Sequence, residues 1–311
     1  DCPAKTQRAV IKEIVRAKLV EAGIPADVKI SQNIIAHEVQ RGVKVFDSVR
    51  NIIAVSSGKG GVGKSTVSAN LALALQQEGA KVGLLDADVY GPSQPTMLGI
   101  TDKPYSVDGK TLEPMVAHGL QVASVGVLID PDQPMIWRGP LAVSALQQLL
   151  KQTNWKDLDY LIVDMPPGTG DIQLSLSQEV PLTGAVVVTT PQDIALMDAR
   201  KGLVMFEKVN VPILGIIENM ATHICSKCGH EEHIFGEGGA AKMAAQYGVE
   251  LLGELPLDIN IRLSMDKGEP IVISDPDSKV AQAYREIARK LAVAVSKKNK
   301  DYSAKMPSIK V

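Results

Sequence analysis

The chain contains little cysteine and no long run of apolar residues. Three cysteines among 311 residues are too few for a fold stapled by disulfides, which favours the reducing cytoplasm. No uninterrupted apolar stretch reaches the roughly 18 residues that a membrane span requires. The first residues also lack the basic-then-apolar pattern of a signal peptide. These absences predict a protein that works in the cytoplasm and does not insert into a membrane.

The chain also lacks an excess of charge of either sign. Its 33 basic and 35 acidic side chains give a formal net charge of −2, so the charge does not predict nucleic acid as the main partner. Hydrophobic residues make up 45% of the sequence, which is typical of a folded globular chain. The length of 311 residues allows one large domain or two modest ones.

Segments typical of strands and helices alternate after residue 50. Continuous Val/Ile/Leu runs, typical of parallel strands buried on both faces, occur at 51–57, 81–88, 120–126, 160–166, 185–191, 212–219 and 250–256. Apolar residues recur at helical spacing at 65–79, 141–153, 195–209, 240–248 and 278–298. This alternation predicts an α/β fold with a doubly wound, mostly parallel sheet, and a site at the carboxyl ends of its strands.

The segment before this alternation has a different character. An amphipathic helix is predicted at 8–23 and a short strand at 26–34. Because so few residues cannot bury a core of their own, we interpret 1–46 as a partial accessory domain or an N-terminal arm. The main domain is then 47–298, and 299–311 forms a C-terminal tail.

The stretch "SGKGGVGKST" at 57–66 fits the phosphate-loop pattern G-x-x-x-x-G-K-[ST] in full. It follows a predicted strand and opens a predicted helix, so its backbone N–H groups and the helix dipole point at one anion site. We expect Lys64 to reach the outer phosphates and the Ser65 hydroxyl to bind Mg²⁺. The predicted nucleotide contacts in this loop are Gly58, Gly60, Gly61, Val62, Gly63, Lys64, Ser65 and Thr66.

A second lysine, Lys59, stands inside the loop, although Lys64 already serves the phosphates. A long side chain at that point could project outward, across an interface, to the nucleotide of a second chain. The alternative is an ordinary solvated lysine. We favour the first interpretation.

Carboxylates follow two of the predicted strands. Asp86 and Asp88 come at the end of the strand "KVGLLDAD", within reach of a phosphate in the loop, where one of them could orient or deprotonate the attacking water. The alternative is that both cap the turn that follows. Asp164 ends the strand "YLIVD" and is the expected Walker-B carboxylate that holds Mg²⁺, because a charge there is costly without a partner.

The identity of the nucleotide base is predicted from a missing GTP-site motif and from two residues. The tetrapeptide [NT]-K-x-D of many GTP sites does not occur in the chain. Asn219, in "GIIENM", and Pro256, in "ELPLD", are placed to frame an adenine. These features favour ATP.

Cys225 and Cys228 have the C-x2-C spacing that lets two thiolates bind one metal centre. A thioredoxin-like redox pair is a poorer fit, because Gly229 and a charged stretch follow. His230 and His233 could complete a zinc site within one chain, but the spacing is cramped. A symmetric dimer that supplies four thiolates is a cleaner solution, and both zinc and a [4Fe–4S] cluster suit that ligand count.

These residues together resemble the Mrp/ApbC family of iron–sulfur cluster carrier ATPases, in the deviant-Walker-A group that includes MinD and the nitrogenase iron protein. The resemblance covers roughly residues 48–290. It is carried by "KGGVGKST", "LLDADVYGPSQPTMLG", "MIWRGP", "DMPPGTGDIQL", "TTPQDIAL", "GIIENM", "CSKCGH" and "ELPLD". The combination is specific, because MinD-like proteins lack the cysteine pair.

The resemblance implies a role for each candidate residue. Lys59 would reach the nucleotide of the other protomer. Asp88 would position the hydrolytic water, with Asp86 supporting it. Cys225 and Cys228 would bridge one [4Fe–4S] cluster shared across a homodimer, which receives clusters from donors and passes them to recipient apoproteins.

The family pattern also bears on other parts of the chain. It favours an interface role for Trp137 and Arg138 over loop packing. Residues 1–46 resemble the later part of a small accessory domain that often precedes this ATPase. Two rival functions stay open, a spatial-organising ATPase switch of the MinD/ParA type and a zinc-stapled dimeric ATPase.

Overall fold

The computed structural model describes residues 2–24, 26–40, 43, 46–128, 139–225 and 227–301. Trp137 and Arg138, together with the tail from residue 302 onward, lie outside the described residues. None of the helices in the described part of the chain is both long enough and apolar enough to cross a membrane.

The central element is a sheet of eight strands within the described residues. The strands are β1 (Val49–Ser57), β2 (Val82–Asp86), β3 (Met115–Ala117), β4 (Leu120–Ser124), β5 (Leu158–Asp164), β6 (Gly184–Thr189), β7 (Ile213–Glu218) and β10 (Leu251–Glu254). They lie in the order β10-β7-β6-β1-β5-β2-β4-β3, and only the edge pair β3–β4 is antiparallel. A separate hairpin pairs β8 (His223–Ile224) with β9 (Glu231–Glu232).

The helices cover both faces of the sheet. They are α1 (Arg8–Glu21), α2 (Lys64–Gln77), α3 (Gln94–Met97), α4 (Gly139–Gln152), α5 (Asp171–Glu179), α6 (Asp193–Lys208), α7 (Gly239–Tyr247), α8 (Ile259–Asp266), α9 (Ile271–Ser274) and α10 (Lys279–Ser296). Buried apolar residues of α2, α8, α9 and α10 form one core cluster, and those of α4, α5, α6 and α7 form a second. The predicted doubly wound α/β fold is therefore confirmed.

The seven predicted strands correspond to β1, β2, β4, β5, β6, β7 and β10, with ends that differ by a few residues. The strand predicted at 26–34 is wrong, because this segment forms no ladder with the sheet. One of its side chains is hydrogen-bonded to other segments: the Gln32 amide donates to the carbonyl oxygen of Gly79 and accepts from the Arg8 guanidinium. The strands β3, β8 and β9 and the helices α3, α5, α8 and α9 were not predicted.

The register of the sheet brings two carboxylates together. Asp86, the last residue of β2, lies opposite Asp164, the last residue of β5, and Asp164 also lies opposite Val55 of β1. The carboxyl ends of three neighbouring strands therefore meet where the loop between β1 and α2 begins, as expected for a parallel sheet.

The N-terminal segment is attached to the main domain by polar contacts. Buried His37 lies 2.9 Å, through Nδ1, from Oδ1 of Asn51 in β1. The Gln40 amide donates to the carbonyl oxygens of Ser177 and Val180, at the end of α5. Helix α1 differs, since it contains no buried residue. At the other end of the chain, the start of the tail pairs with this segment, because Asp301 N–H donates to the Ala36 carbonyl oxygen.

Candidate functional site

The loop between β1 and α2 is shaped by close backbone approaches. A Cβ on Gly58 would lie 2.2 Å from the backbone carbonyl carbon of Asp198, so a side chain cannot be placed there. Gly63 has φ +80°, a left-handed conformation that suits glycine, and a Cβ there would lie 2.3 Å from Nδ2 of Asn219. Glycine is therefore required at both ends of the loop before Lys64 opens α2.

A cavity of about 220 Å³ lies over this loop. Of the predicted site residues, its lining includes Lys59, Gly60, Gly61, Val62, Gly63, Lys64, Ser65, Thr66 and Asp88. Its wall also contains Ser57, Ser93, Met97 and Pro167. The fold thus brings the phosphate loop and one of the two β2 carboxylates to a single cavity.

Lys64 is the cation at the centre of this site. Its side chain is only 5% exposed, and its Nζ donates to Oδ1 of Asp164 at 2.6 Å. The same Nζ lies 3.2 Å from Oγ of Ser65 and 4.0 Å from Oδ2 of Asp88. Three oxygen-bearing side chains therefore surround one positive charge.

The two carboxylates at the carboxyl end of β2, Asp86 and Asp88, have different environments. Asp86 is fully buried, and it accepts hydrogen bonds from the N–H groups of Ser93 and Gln94 and from the Ser124 hydroxyl. Burial first, and then the nearby Asp164 carboxylate, raise the pKa of Asp86 to about 7 against the lowering effect of these donors. Asp86 is part of the support beneath the cavity and does not line it.

Asp88 caps the turn after β2 and also lines the cavity. Its Oδ1 accepts hydrogen bonds from the N–H groups of Tyr90 and Gly91, each at 3.2 Å, and so caps the turn after β2. Its Oδ2 faces Lys64 in the cavity wall. One oxygen is thus held in place by the backbone while the other faces the cavity.

Within the part of the chain that the structure describes, Lys59 has a partner only through its backbone. Its carbonyl oxygen accepts a hydrogen bond from the Ser57 hydroxyl at 2.9 Å. Within the described residues, the Lys59 ammonium makes no ion pair or hydrogen bond, and the residue is half-buried. No described side chain therefore forms an ion pair with this charge on the loop.

The predicted adenine-framing residues lie on adjacent segments. Asn219 Nδ2 donates to the carbonyl oxygen of Val62 at 2.8 Å, which links the end of β7 to the phosphate loop. Two residues later, Ala221 N–H donates to the carbonyl oxygen of Leu255 at 2.9 Å, so Pro256 lies on the strand-end loop beside it. Asn219 and Pro256 therefore come from neighbouring strand ends, and Asn219 contacts the loop.

Two polar residues of the site were missed by sequence reasoning. The Ser68 hydroxyl lies 2.9 Å from Oδ1 of Asp164, and the Gln94 amide lies 2.9 Å from Oδ2. Ser68 follows Lys64 by one helical turn, a spacing that could have indicated it. Gln94 is 30 positions away from Lys64, and no local pattern points to it.

The cysteine pair lies at the tip of the β8–β9 hairpin. Cys225 N–H donates to the carbonyl oxygen of His230, and Gly229 N–H donates to that of Cys225. Cys228 is exposed and Cys225 half-buried, and both are free thiols. The backbone N–H of Lys227, followed by that of Cys228, lowers the pKa of Cys225.

The neighbouring histidines are not assembled with the cysteines into a metal site. His233 Nδ1 lies 2.9 Å from the carbonyl oxygen of Ala221, and His230 is exposed. Across the described residues, no group of three or more His, Cys, Asp or Glu side chains is arranged to hold a metal ion. A single chain therefore presents two thiols at this position.

The fold and the loop define a P-loop NTPase. Over residues 48–292 the chain matches the ParA family model described as NUBPL iron-transfer P-loop NTPase, so it belongs to this family. The resemblance found in the sequence is confirmed.

Curated relatives agree with this assignment. A Salmonella typhimurium protein named iron-sulfur cluster carrier protein is 58% identical over 286 residues, which cover 91% of this chain and 78% of that protein. A mouse protein named iron-sulfur cluster transfer protein NUBPL is 51% identical over 247 residues, which cover 79% of this chain and 77% of that protein.

Solved structures agree in fold. A nucleotide-binding protein from Archaeoglobus fulgidus, in complex with ADP, matches with a TM-score of 0.66 and 37% identity over 76% of this chain and 92% of that one. The cell division ATPase MinD of Pyrococcus furiosus matches with a TM-score of 0.58 and 25% identity over 78% of this chain and 98% of that one.

Proposed function

We propose that this protein is an ATP-hydrolysing carrier that assembles an iron–sulfur cluster between two copies of the chain and transfers it to recipient apoproteins. The observation that carries the proposal is the pair of free thiols, Cys225 and Cys228, at the tip of a hairpin on a P-loop NTPase. The names of the relatives from Salmonella and mouse support it.

The number of ligands favours a homodimer. Two thiolates leave a tetrahedral iron or zinc centre, or a [4Fe–4S] cluster, short of its usual four protein ligands. A second copy related by a two-fold axis supplies the other two from the same hairpin. The cluster is then a cargo held at the interface, received from a donor and passed to an apoprotein.

The nucleotide site suits a triphosphate with Mg²⁺. The ammonium of Lys64 lies among oxygens of Ser65, Asp88 and Asp164, at 3.2, 4.0 and 2.6 Å, so this donor set already surrounds one cation. Hard oxygen donors of this kind are those that Mg²⁺ prefers. Ser65 and Asp164 would hold the ion, which neutralises charge on the outer phosphates.

The remaining residues are assigned from their positions. Asp88 orients the attacking water with its cavity-facing oxygen, and Asp86 supports that loop from beneath. When a nucleotide binds, the Lys64 ammonium leaves the Asp164 carboxylate and contacts the outer phosphates instead. Asn219 and Pro256 frame adenine, and Lys59 reaches the nucleotide of the partner chain.

The domain organisation is proposed as predicted from the sequence. Residues 1–46 form an arm or the remainder of an accessory domain, 47–298 form the ATPase domain, and 299–311 form a tail. Because the two cysteines must stay reduced to bind iron, we place the protein in the cytoplasm. Membership of the iron-transfer family favours this carrier function over a spatial-organising switch.

The decisive experiment is anaerobic reconstitution with iron and sulfide, measured by visible absorbance and by iron and sulfide counting. The native protein should bind about four irons per dimer, and Cys225→Ala should lose the cluster while it keeps its thermal stability and ATP affinity. Cys2→Ala is the matched control, because Cys2 is a free cysteine distant in sequence from the hairpin. Cluster binding that survives in Cys225→Ala, or bound zinc in place of iron after reconstitution, would contradict the carrier function.

A further inference from the structure

Beneath the nucleotide cavity lies a buried polar cluster that includes a residue with no assigned role. Gln94, the first residue of α3, is fully buried. Its side-chain nitrogen lies 2.9 Å from Oδ2 of Asp164 and 2.9 Å from the carbonyl oxygen of Ser65. Its backbone N–H donates to Oδ2 of Asp86 at 3.1 Å. One residue therefore contacts the Walker-B carboxylate, the phosphate loop and the β2 carboxylate.

The orientation of the Gln94 amide follows from its partners. The Asp164 carboxylate and the Ser65 carbonyl oxygen are both acceptors, so only the NH₂ group can face them. The amide oxygen then points away, and it is buried without a hydrogen-bond partner among the described residues. A buried acceptor without a donor destabilises a fold. Packing alone would be better served by an apolar side chain of the same length, which indicates that the two N–H donors are the reason for a glutamine here.

The other two donors to the Asp164 carboxylate, Lys64 and Ser68, each have a competing partner. Lys64 has to leave the carboxylate if it is to bind phosphate. The Ser68 hydroxyl lies 2.9 Å from both the Lys64 carbonyl oxygen and the Asp164 carboxylate, and its single hydrogen can serve only one of them well. Gln94 has one hydrogen for Asp164 and another for Ser65. It is therefore the donor that remains when Lys64 moves to the nucleotide.

We propose that Gln94 is a positioning residue of the metal–nucleotide site, which holds the Asp164 carboxylate and the Ser65 backbone in place for Mg²⁺ and couples both to the loop that carries Asp88. The coupling arises because Gln94 ends the segment 88–94, so a shift of Asp88 is transmitted along this short backbone segment to Gln94 and through its hydrogen bond to the Asp164 carboxylate. This inference rests on the proposed Mg²⁺–nucleotide binding, and it is independent of the cluster.

The test is a Mg²⁺ titration of the binding of a fluorescent ATP analogue, with a parallel measurement in EDTA. Gln94→Ala and Gln94→Met should each raise the Mg²⁺ concentration for half-saturation by roughly tenfold or more, since one hydrogen bond to a charged group is lost. Affinity in EDTA should stay within about twofold of native, because the phosphate loop itself is retained. Mn²⁺ binding followed by electron paramagnetic resonance gives a readout that does not depend on hydrolysis.

Two variants distinguish a loss of structural stability from a loss of the positioning role of Gln94. Methionine restores the volume and removes the unpaired oxygen, so a purely structural role would be rescued in Gln94→Met and a positioning role would not. Gln40→Ala removes another buried glutamine, and its amide bonds backbone groups that are far in sequence from the phosphate loop. This variant should change thermal stability but not the Mg²⁺ dependence of nucleotide binding.

Failure of the Gln94 proposal and failure of the proposed metal–nucleotide site give different results. Native Mg²⁺ dependence in Gln94→Met, or an equal loss of affinity in EDTA, would overturn the role of Gln94 and leave the proposed function intact. A native protein with nucleotide binding that does not respond to Mg²⁺ would overturn the proposed metal–nucleotide site itself.

Discussion

Single residues at the carboxyl ends of the strands combine burial with charge or polarity. Asp86, Asp164 and Glu218 end three strands and are almost completely buried, and Asn219 follows directly. Each is kept in place by local donors or acceptors, because a buried polar group without a partner is costly. Glu218 accepts the N–H of Ala240 at the start of α7, and so ties β7 to the helix that follows the cysteine hairpin.

At this scale, the pKa of Glu218 makes stability depend on pH. Burial first, and then the Glu254 carboxylate, raise this pKa above its ordinary 4.5, while the Ala240 N–H and His233 lower it. The folded protein therefore holds the proton more tightly than the unfolded chain, and this contribution to stability is lost as pH rises from about 4.5 through the folded-state pKa. Glu218→Gln keeps an acceptor for Ala240 and cannot ionise. We expect its free energy of unfolding, relative to native, to increase as pH rises.

Urea unfolding at several pH values between about 4.5 and 8 measures this difference. Glu179→Gln, a change at an exposed carboxyl, is the control and should give a nearly constant difference. A constant difference for Glu218→Gln as well would show that the buried carboxyl does not titrate in this range.

Elements of one face of the fold are joined through a single buried carboxylate. Glu78, just after α2, is fully buried and lies 2.7 Å from the Arg289 guanidinium of α10. The backbone N–H and the hydroxyl of Thr6 donate to the same carboxylate at 3.0 and 2.6 Å. The N-terminal segment, α2 and α10 therefore meet at one charge, and removal of its cation leaves that charge buried without a counterion.

The prediction at the element scale is that Arg289→Ala lowers the free energy of unfolding by about 2–3 kcal/mol. The expected value lies below that of a fully buried pair because the Arg289 side chain is 27% exposed. Arg285→Ala is the matched control, since Arg285 contacts the neutral Gln77 amide at 3.3 Å, and it should cost less than about 1 kcal/mol. Equal losses in the two variants would rule out a special contribution of the buried carboxylate.

At the scale of the whole molecule, the loop and the hairpin each lack something that a second copy would supply. The Lys59 ammonium has no partner within the described residues, and the hairpin has two thiols where a metal centre usually takes four ligands. The symmetric homodimer proposed above would supply both. In that proposed dimer, nucleotide and cluster would act on one equilibrium between dimer arrangements, each through its different affinity for the two states.

The prediction for the assembly concerns Lys59. Lys59→Ala should weaken ATP-dependent dimerisation by roughly tenfold or more, because a charge-assisted contact to phosphate is lost across the interface. ATP affinity of the isolated chain should stay within about twofold. Sedimentation velocity with and without ATP measures the first quantity, and binding of a fluorescent analogue at low protein concentration measures the second.

Lys64→Ala provides the comparison, since it removes the loop lysine proposed to bind the phosphates within one chain and should abolish nucleotide binding itself. A parallel loss of binding and dimerisation in Lys59→Ala would assign Lys59 to its own chain's nucleotide. The cross-dimer interpretation would then be wrong.

Much of this protein was predictable from the sequence because its signals are local. The run of Val, Ile and Leu in each central strand, the glycines of the loop and the C-x2-C spacing each lie within a few neighbouring residues. They determined the doubly wound fold, the phosphate loop and the cysteine pair. The segment 26–34 had a strand-like pattern as well, but a strand also needs a neighbour with free hydrogen-bonding groups, which a local pattern cannot supply.

What only the tertiary structure decided is which distant residues share a site. Sheet register places Asp86 opposite Asp164, and the loop after β2 folds back to bring Gln94 against both Asp164 and Ser65. The tertiary structure also gives the two carboxylates at the end of β2 different positions. Asp86 is buried beneath the cavity, and Asp88 lines the cavity. Burial and hydrogen-bond partners depend on contacts between segments far apart along the chain, and for that reason no spacing in the sequence could assign them.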